Sequence, residues 1–176
     1  MLIVGQRMTM TETLCECEFL KDLPHELISK LGDIGQSRTY RAGQFLFAEG
    51  MTHPDFHIVA TGHVRLEMFV PKRGSIPILT AGPGEMLAWS ALVGNPTMTS
   101  SGVALEQVTT IAFPGTELRT LCEADHEIGY HITRCLASAL SRRLFATRLQ
   151  LLDLFQEHIP IQSSPPVNSD SVDSEC

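Results

Sequence analysis

Four residues near the middle of the chain carry side chains that bind transition metals: His53, His57, His63 and Glu67. Imidazole nitrogens with one carboxylate are a common donor set for zinc and non-haem iron. A metal-holding β-roll wants His-x-His, then Glu, then a third His in a later strand. Here His53 and His57 stand four apart, and no histidine lies between Glu67 and His126. His53, beside Pro54, is expected in a turn, and His57 and His63 at exposed strand positions; on that reading no metal is bound. Cys15 and Cys17 are the one close pair among five cysteines. Two thiolates fall short of the four ligands of a structural zinc or iron–sulfur site. Cys122 and Cys135 sit in apolar helical surroundings, where a buried thiol is the ordinary state. No Gly-x-Ser-x-Gly elbow, P-loop or dinucleotide fingerprint occurs, so an enzyme is not expected.

A second stretch, PGEMLAWSALVGNPTMTSS from Pro83 to Ser101, has the outline of an anion-cradling loop. A Gly turn leads into a short helical run, Ser90–Val93, whose first amides are able to meet an anion. Thr97, Thr99 and Ser100 add hydroxyl donors. Trp89, the only tryptophan, could stack on a flat ligand; a lone Trp is more often core.

These residues need elements to hold them. LPHELISKLGDI spaces Leu27, Ile28 and Leu31 as a helix does, with Pro24 suited to the first turn. From Gln36 to Phe113 short β-prone runs alternate with glycines at 43, 50, 62, 74, 84 and 94. That rhythm predicts an antiparallel β-roll or jelly-roll barrel, with Ile76, Ile78 and Thr80 sharing one face of a strand. After Phe113 the pattern turns helical: a short helix around Thr116–Glu123, then a long one from Asp125, a plausible N-cap, to Phe155. Thirty residues make a rod of roughly 45 Å. Ala137, Leu140, Leu144, Thr147, Leu151 and Leu154 repeat at coiled-coil spacing. Ile132, Leu136, Phe145, Leu149, Leu152 and Phe155 form a second apolar stripe. One stripe is expected on the barrel and the other on a second copy, making a homodimer.

Helix, Gly-punctuated roll and long helix together resemble the cyclic nucleotide-binding domain of Crp/Fnr-type regulators. RAGQFLFAEG is similar to that family's opening hairpin with its Glu-Gly corner. DFHIVATGHVRLEM resembles the next strand pair with its Gly-x-Val turn, and LTAGPGEML the strand leading into the phosphate-binding cassette. The resemblance spans roughly Leu23 to Phe155. It implies a cassette in which Gly-Glu-x-Ala-Leu precedes Arg-Ser/Thr-Ala. There the Glu accepts the ribose 2′-hydroxyl and the Arg pairs with the cyclic phosphate. Placed on this chain from Gly84 onward, Ala88 stands at the Gly, Trp89 at the Glu and Thr97 at the Arg, with Ser90, Ala91, Met98, Thr99 and Ser100 around them. Met98 and Thr99, one or two steps along, are no better cations. Each hydrogen bond to a charged group contributes roughly 1.5–3 kcal/mol, so two losses weaken binding by about 10²- to 10⁴-fold. Ordinary cAMP or cGMP sensing is therefore not expected, and the pocket is read as remodelled for another small molecule or closed.

The formal net charge of −7 and the scatter of the cations argue against direct DNA contact, which runs on basic patches. The resemblance implies the sensor half of such a regulator without its winged helix, signalling through a protein partner. No apolar run reaches membrane-spanning length and no signal peptide is read at the start; a cytoplasmic home is expected. A non-enzymatic sensor is the leading reading, a degenerate dimeric scaffold the second, and a cupin-like metalloenzyme the third. The expected layout is a flexible arm over 1–22, the domain over 23–155 and a disordered acidic tail over 156–176.

Overall fold

A computed structural model describes residues 9–156. The tail expected at 156–176 lies, but for Gln156, outside the described residues. The chain divides into two units, one ending at Leu140 and one beginning at Ser141.

The arm expected over 1–22 lies outside the described residues at 1–8, and residues 10–20 are folded. Helix α1, Met10–Cys15, starts with a capping box: the Thr9 hydroxyl accepts from the Glu12 amide, and the Glu12 carboxylate accepts from the Thr9 amide. Two otherwise unpaired amides are satisfied at once. A 3-10 turn follows at Glu18–Leu20, and Leu14, Cys17, Phe19 and Leu20 are all buried. Helix α2 runs over His25–Ile34 with Pro24 just before it and buries Leu27, Ile28 and Leu31, the face its spacing predicts.

Eight strands follow: β1 Gln36–Tyr40, β2 Phe45–Phe47, β3 Asp55–Thr61, β4 Val64–Val70, β5 Gly74–Ala81, β6 Met86–Leu87, β7 Ser101–Ala104 and β8 Val108–Pro114. They make two antiparallel sheets, ordered β1-β8-β3-β6 and β2-β7-β4-β5, as the expected β-roll requires. Successive side chains of a strand point to opposite faces, and in the first sheet β3, β6 and β8 are covered on both faces, while β1 is exposed but for Tyr40. Phe56, Ile58, Ile111 and Phe113 join α1, α2 and the helices after β8 in one apolar cluster. Val59, Val108, Leu46, Phe47, Val64, Leu66, Leu87 and Ala104 fill the interior of the roll in another. Strand β3 therefore reads buried from Asp55 through Val59. Strand β5 corrects one expectation: a register shift opposite Leu66 and Glu67 turns Ile78 out and puts Leu79 against the roll interior.

Helix α3 spans Gly115–Ala124, and α4 spans His126–Gln156. Asp125 caps α4, its Oδ1 accepting from the amides of Glu127 and Ile128 at 3.1 and 3.2 Å. Its other oxygen meets the Lys30 ammonium at 2.6 Å. Within the first unit, α4 buries Ile128, Ile132, Leu136 and Ala139. In the second unit, Leu144, Phe145, Leu149, Leu151 and Leu152 are all exposed, so both apolar stripes lie open there. None of the described helices is long and apolar enough to cross a membrane.

Two substitutions test this account. Gly62, in the β3–β4 turn, has φ +79°, and an added Cβ would lie 2.5 Å from the Gln107 carbonyl oxygen. The left-handed conformation alone costs an L-residue roughly 1–2 kcal/mol, so Gly62→Ala should lose more than that in urea unfolding. Asp125→Ala removes both the cap and the ion pair, whereas Lys30→Met removes only an exposed pair of small worth. Differential scanning calorimetry should show the larger fall in midpoint for Asp125→Ala.

Candidate functional site

Strand β3 carries a polar group into the middle of the roll. Because β3 is covered on both faces, the residues that alternate away from Phe56 and Ile58 face the interior rather than water. His57 is fully buried there, not exposed as the alternation alone indicated. Its Nδ1 lies 3.0 Å from the Thr110 hydroxyl on β8, and its Nε2 lies 2.8 Å from Nε2 of His53. His53 is half-buried just before β3, in a stretch with no turn, not in the turn expected beside Pro54. Between them in sequence, Asp55 is buried and pairs with the Arg38 guanidinium of β1 at 2.7 Å. The Tyr40 ring meets His57 edge-on, and the Phe47 ring packs on His53.

Burial dominates the charge state of this group. It pushes the His57 pKa down to about 3, helped by His53 and Arg38. Burial also lowers His53, against the pull of Asp55. Both imidazoles are neutral at pH 7. His63 and Glu67, the other two metal-ligand candidates, are elsewhere: exposed His63 pairs with Glu106 at 2.7 Å, and Glu67 with Arg65 at 3.1 Å. Cys15 is exposed, while Cys17 is buried with its Sγ donating to the Thr13 carbonyl. Burial pushes the Cys17 thiol up to about 11, so Cys17 is a poor source of thiolate.

The cassette lies against the same loop. The Gly50 and His53 amides donate to the carbonyls of Met98 and Pro96, the Met98 amide donates to Met51, and Thr52 bridges Thr97. Gly84, at φ +81°, turns the chain into β6. Ala88 then takes a left-handed conformation (φ 53°, ψ 37°) and heads a 3-10 turn, Trp89–Ala91. Ala88 and Met98 belong to the roll interior. Trp89 instead packs against the helical cluster on the other side of the sheet, so it does not occupy the roll interior. Ser90 and Ala91 are buried, Thr97 and Thr99 exposed, and Ser100 lies between.

The amides expected to meet an anion are largely engaged. Those of Ala91, Leu92 and Val93 bond to the carbonyls of Ala88 and Trp89. The one charged residue between Pro83 and Ser101, Glu85, accepts from the Gly82 amide at 2.8 Å and so braces the preceding turn. The guanidinium of Arg119, on α3, donates to the Ala91 carbonyl. Sequence reading missed this contact, which joins residues 28 positions apart. It also missed the His53–His57–Thr110 group, whose only sequence signal is a histidine inside an otherwise apolar run.

On the dimer-helix residues the picture is mixed. Ala137, Leu144, Thr147 and Leu151 are exposed, but Leu140 packs partly on the helical core. The Leu154 side chain lies outside the described residues.

Two antiparallel four-stranded sheets closed into a roll, with helices packed against one of them, are the class of fold that holds the stretch from Pro83 to Ser101. The match to the family model of the cyclic nucleotide-binding domain covers residues 37–125, just over half the chain, and the protein belongs to that family. Solved structures agree on the fold. A cyclic nucleotide-binding domain from Methylobacillus flagellatus matches with TM-score 0.71 at 20% identity, covering 82% of each chain. A putative cyclic nucleotide-binding protein from Geobacter metallireducens matches at 0.67 and 23%, covering 78% of this chain and 99% of that one. The catabolite activator protein of Thermus thermophilus matches at 0.64 and 25%, over 78% of this chain and 62% of its own.

Ala88 makes a prediction in which two effects compete. Ala88→Gly relieves roughly 1–2 kcal/mol of left-handed strain. It also frees the unfolded chain by about 0.5–1 kcal/mol and removes a buried methyl worth about 0.8 kcal/mol. The sum is near zero, so urea unfolding should place this variant close to the parent. Ala88→Val keeps the strain, adds β-branching and overfills the interior, and should lose about 2–3 kcal/mol.

His57 makes another. Its folded pKa lies below the ordinary value of 6.5, so the unfolded chain binds the extra proton. The stabilisation is complete above about pH 6.5 and falls by up to roughly 1.4 kcal/mol per pH unit on acidification towards 3. Urea unfolding across that range should show a slope that flattens in His57→Gln.

Proposed function

We propose that this domain regulates by binding rather than by catalysis, that it does not take cAMP or cGMP in the usual way, and that it acts as a homodimer. The observation that carries the reading is the stretch from Pro83 to Ser101, whose one charged residue is Glu85; by the resemblance, Ala88, Trp89 and Thr97 fall where the family has its Gly, Glu and Arg. Neither the ribose hydroxyl nor the cyclic phosphate finds its charged partner there. Isothermal titration calorimetry with cAMP and cGMP should show no saturable binding at concentrations that saturate a family member with both charges. Micromolar binding of either nucleotide would overturn the reading.

The second copy is the natural occupant of the second unit of α4, where Leu144 and Leu151 of the coiled-coil seam lie about half exposed, at 54% and 49%. Leu144→Lys with Leu151→Lys should convert a dimer to a monomer in light scattering while leaving the fold intact by circular dichroism. An unchanged mass would place the interface elsewhere. With a net charge of −7, DNA is a poor direct partner, and a signal would pass to a protein.

Two forms of this regulation differ in the pocket. In one, an uncharged or differently charged small molecule occupies the roll and shifts the population of α4 conformations. In the other, the domain is a dimeric scaffold. The burial of Ala88 and Met98 within the roll interior favours the scaffold. Native mass spectrometry of protein purified without added ligand separates them: a stoichiometric organic adduct means a sensor, and a bare dimer means a scaffold.

A further inference from the structure

The group that the cassette does not use is the one inside the roll. From its geometry we infer that His53, Asp55 and His57 form a binding site for a single first-row transition-metal ion of the zinc class. One ligand atom from each of the three lies within 4.8 Å of the others, and among the described residues no other trio of such groups does. The inference concerns a site separate from the cassette and does not rest on the proposed function.

The spacing of the two histidines is close to that of a metal site, and the Asp55 carboxylate, within 4.8 Å of both, closes on the ion when it binds. Zinc–nitrogen bonds of about 2.0–2.1 Å at a tetrahedral angle set two ligand nitrogens about 3.3 Å apart. The Nε2 atoms of His53 and His57 are 2.8 Å apart, with ring planes 24° from parallel, so they need part by only a few tenths of an ångström. One proton lies between two neutral imidazoles that share such a bond, whichever ring carries it. The ion takes that proton's place. The displaced proton moves to the Nδ1 of the ring that held it, so binding at neutral pH needs no net proton release. Asp55 gives one carboxylate oxygen while Arg38 holds Oδ2. The ion so held has three protein ligands and an open fourth position.

The surroundings support the same assignment. Ligating histidines use their second nitrogen to bond a neighbour that fixes ring and tautomer; His57 Nδ1 has the Thr110 hydroxyl at 3.0 Å for this. Half-buried His53 gives access from the surface. Its loop is tied to residues 96–98 by backbone hydrogen bonds, so a bound ion would brace the wall that holds the cassette.

The test is a Co²⁺ titration of the full chain after chelator treatment and desalting, followed by visible absorption and by competition with Zn²⁺. One saturable equivalent, displaced by Zn²⁺, is expected. His53→Gln, at the accessible end of the site, should weaken binding more than tenfold. Thr110→Val should weaken it by about 10- to 100-fold through the second nitrogen of His57. Cys15→Ser with Cys17→Ser should leave it unchanged. Absence of saturable binding by the parent protein overturns the inference, whatever the variants do. So does binding that survives His53→Gln or disappears with the two cysteines.

Discussion

Strands β8, β3 and β6 of the first sheet are a wall shared by two apolar clusters, and the other features of the first unit depend on its burial on both sides. One face receives the helices and the other closes the roll. Such a wall needs apolar side chains in both directions, which is why β3 and β8 read almost continuously buried. Side chains such as Phe56 and Phe113 join α1, α2, α3 and α4 into one helical cluster. Burying a large apolar side chain contributes about 1.5–3 kcal/mol, so the two phenyl rings and their partners Ile58 and Ile111 hold the helices firmly.

The same wall explains the polar group inside it. A buried polar atom without a partner costs about 1–3 kcal/mol. His57 meets that demand with Thr110 on one side and His53 on the other, and Asp55 meets it with Arg38. The arrangement is satisfied but compact: two imidazoles, a carboxylate and a guanidinium within a few ångströms, reached from a loop that also braces the cassette. The stretch from Pro83 to Ser101 holds a left-handed Ala88 and a short 3-10 turn, and its one charged side chain, Glu85, braces the preceding turn. Its cations are either absent or, like Arg119, engaged with backbone.

Much of the fold could be read from residue types. The glycine rhythm indicated a roll, and the spacing of Leu27, Ile28 and Leu31 indicated α2. The 3.6-residue periodicity after Phe113 indicated α3 and α4. The arm over 10–20 was misread although its signal was present: Thr9-x-x-Glu12 is a capping box directly before α1. Its brevity hid it, since a six-residue helix holds too few turns to display periodicity. Ile78 was misplaced because a strand's alternation continues only until a bulge shifts it, and nothing in SIPILTA marks the shift.

What the sequence alone determined was the order of elements, the family resemblance and a stretch from Pro83 to Ser101 whose one charged residue is Glu85, because these are properties of residue type and local spacing. What only the tertiary structure decided was where each face points. Alternation shows which side chains of β3 share a face, but not whether that face meets water or a second layer. The answer came from residues far off in the chain. His57 is buried because Thr110 and Tyr40 lie beside it, and Trp89 leaves the roll because the helical cluster offers it a surface. The meeting of His53, Asp55 and His57 around one point is likewise a product of chain closure, which no spacing rule contains.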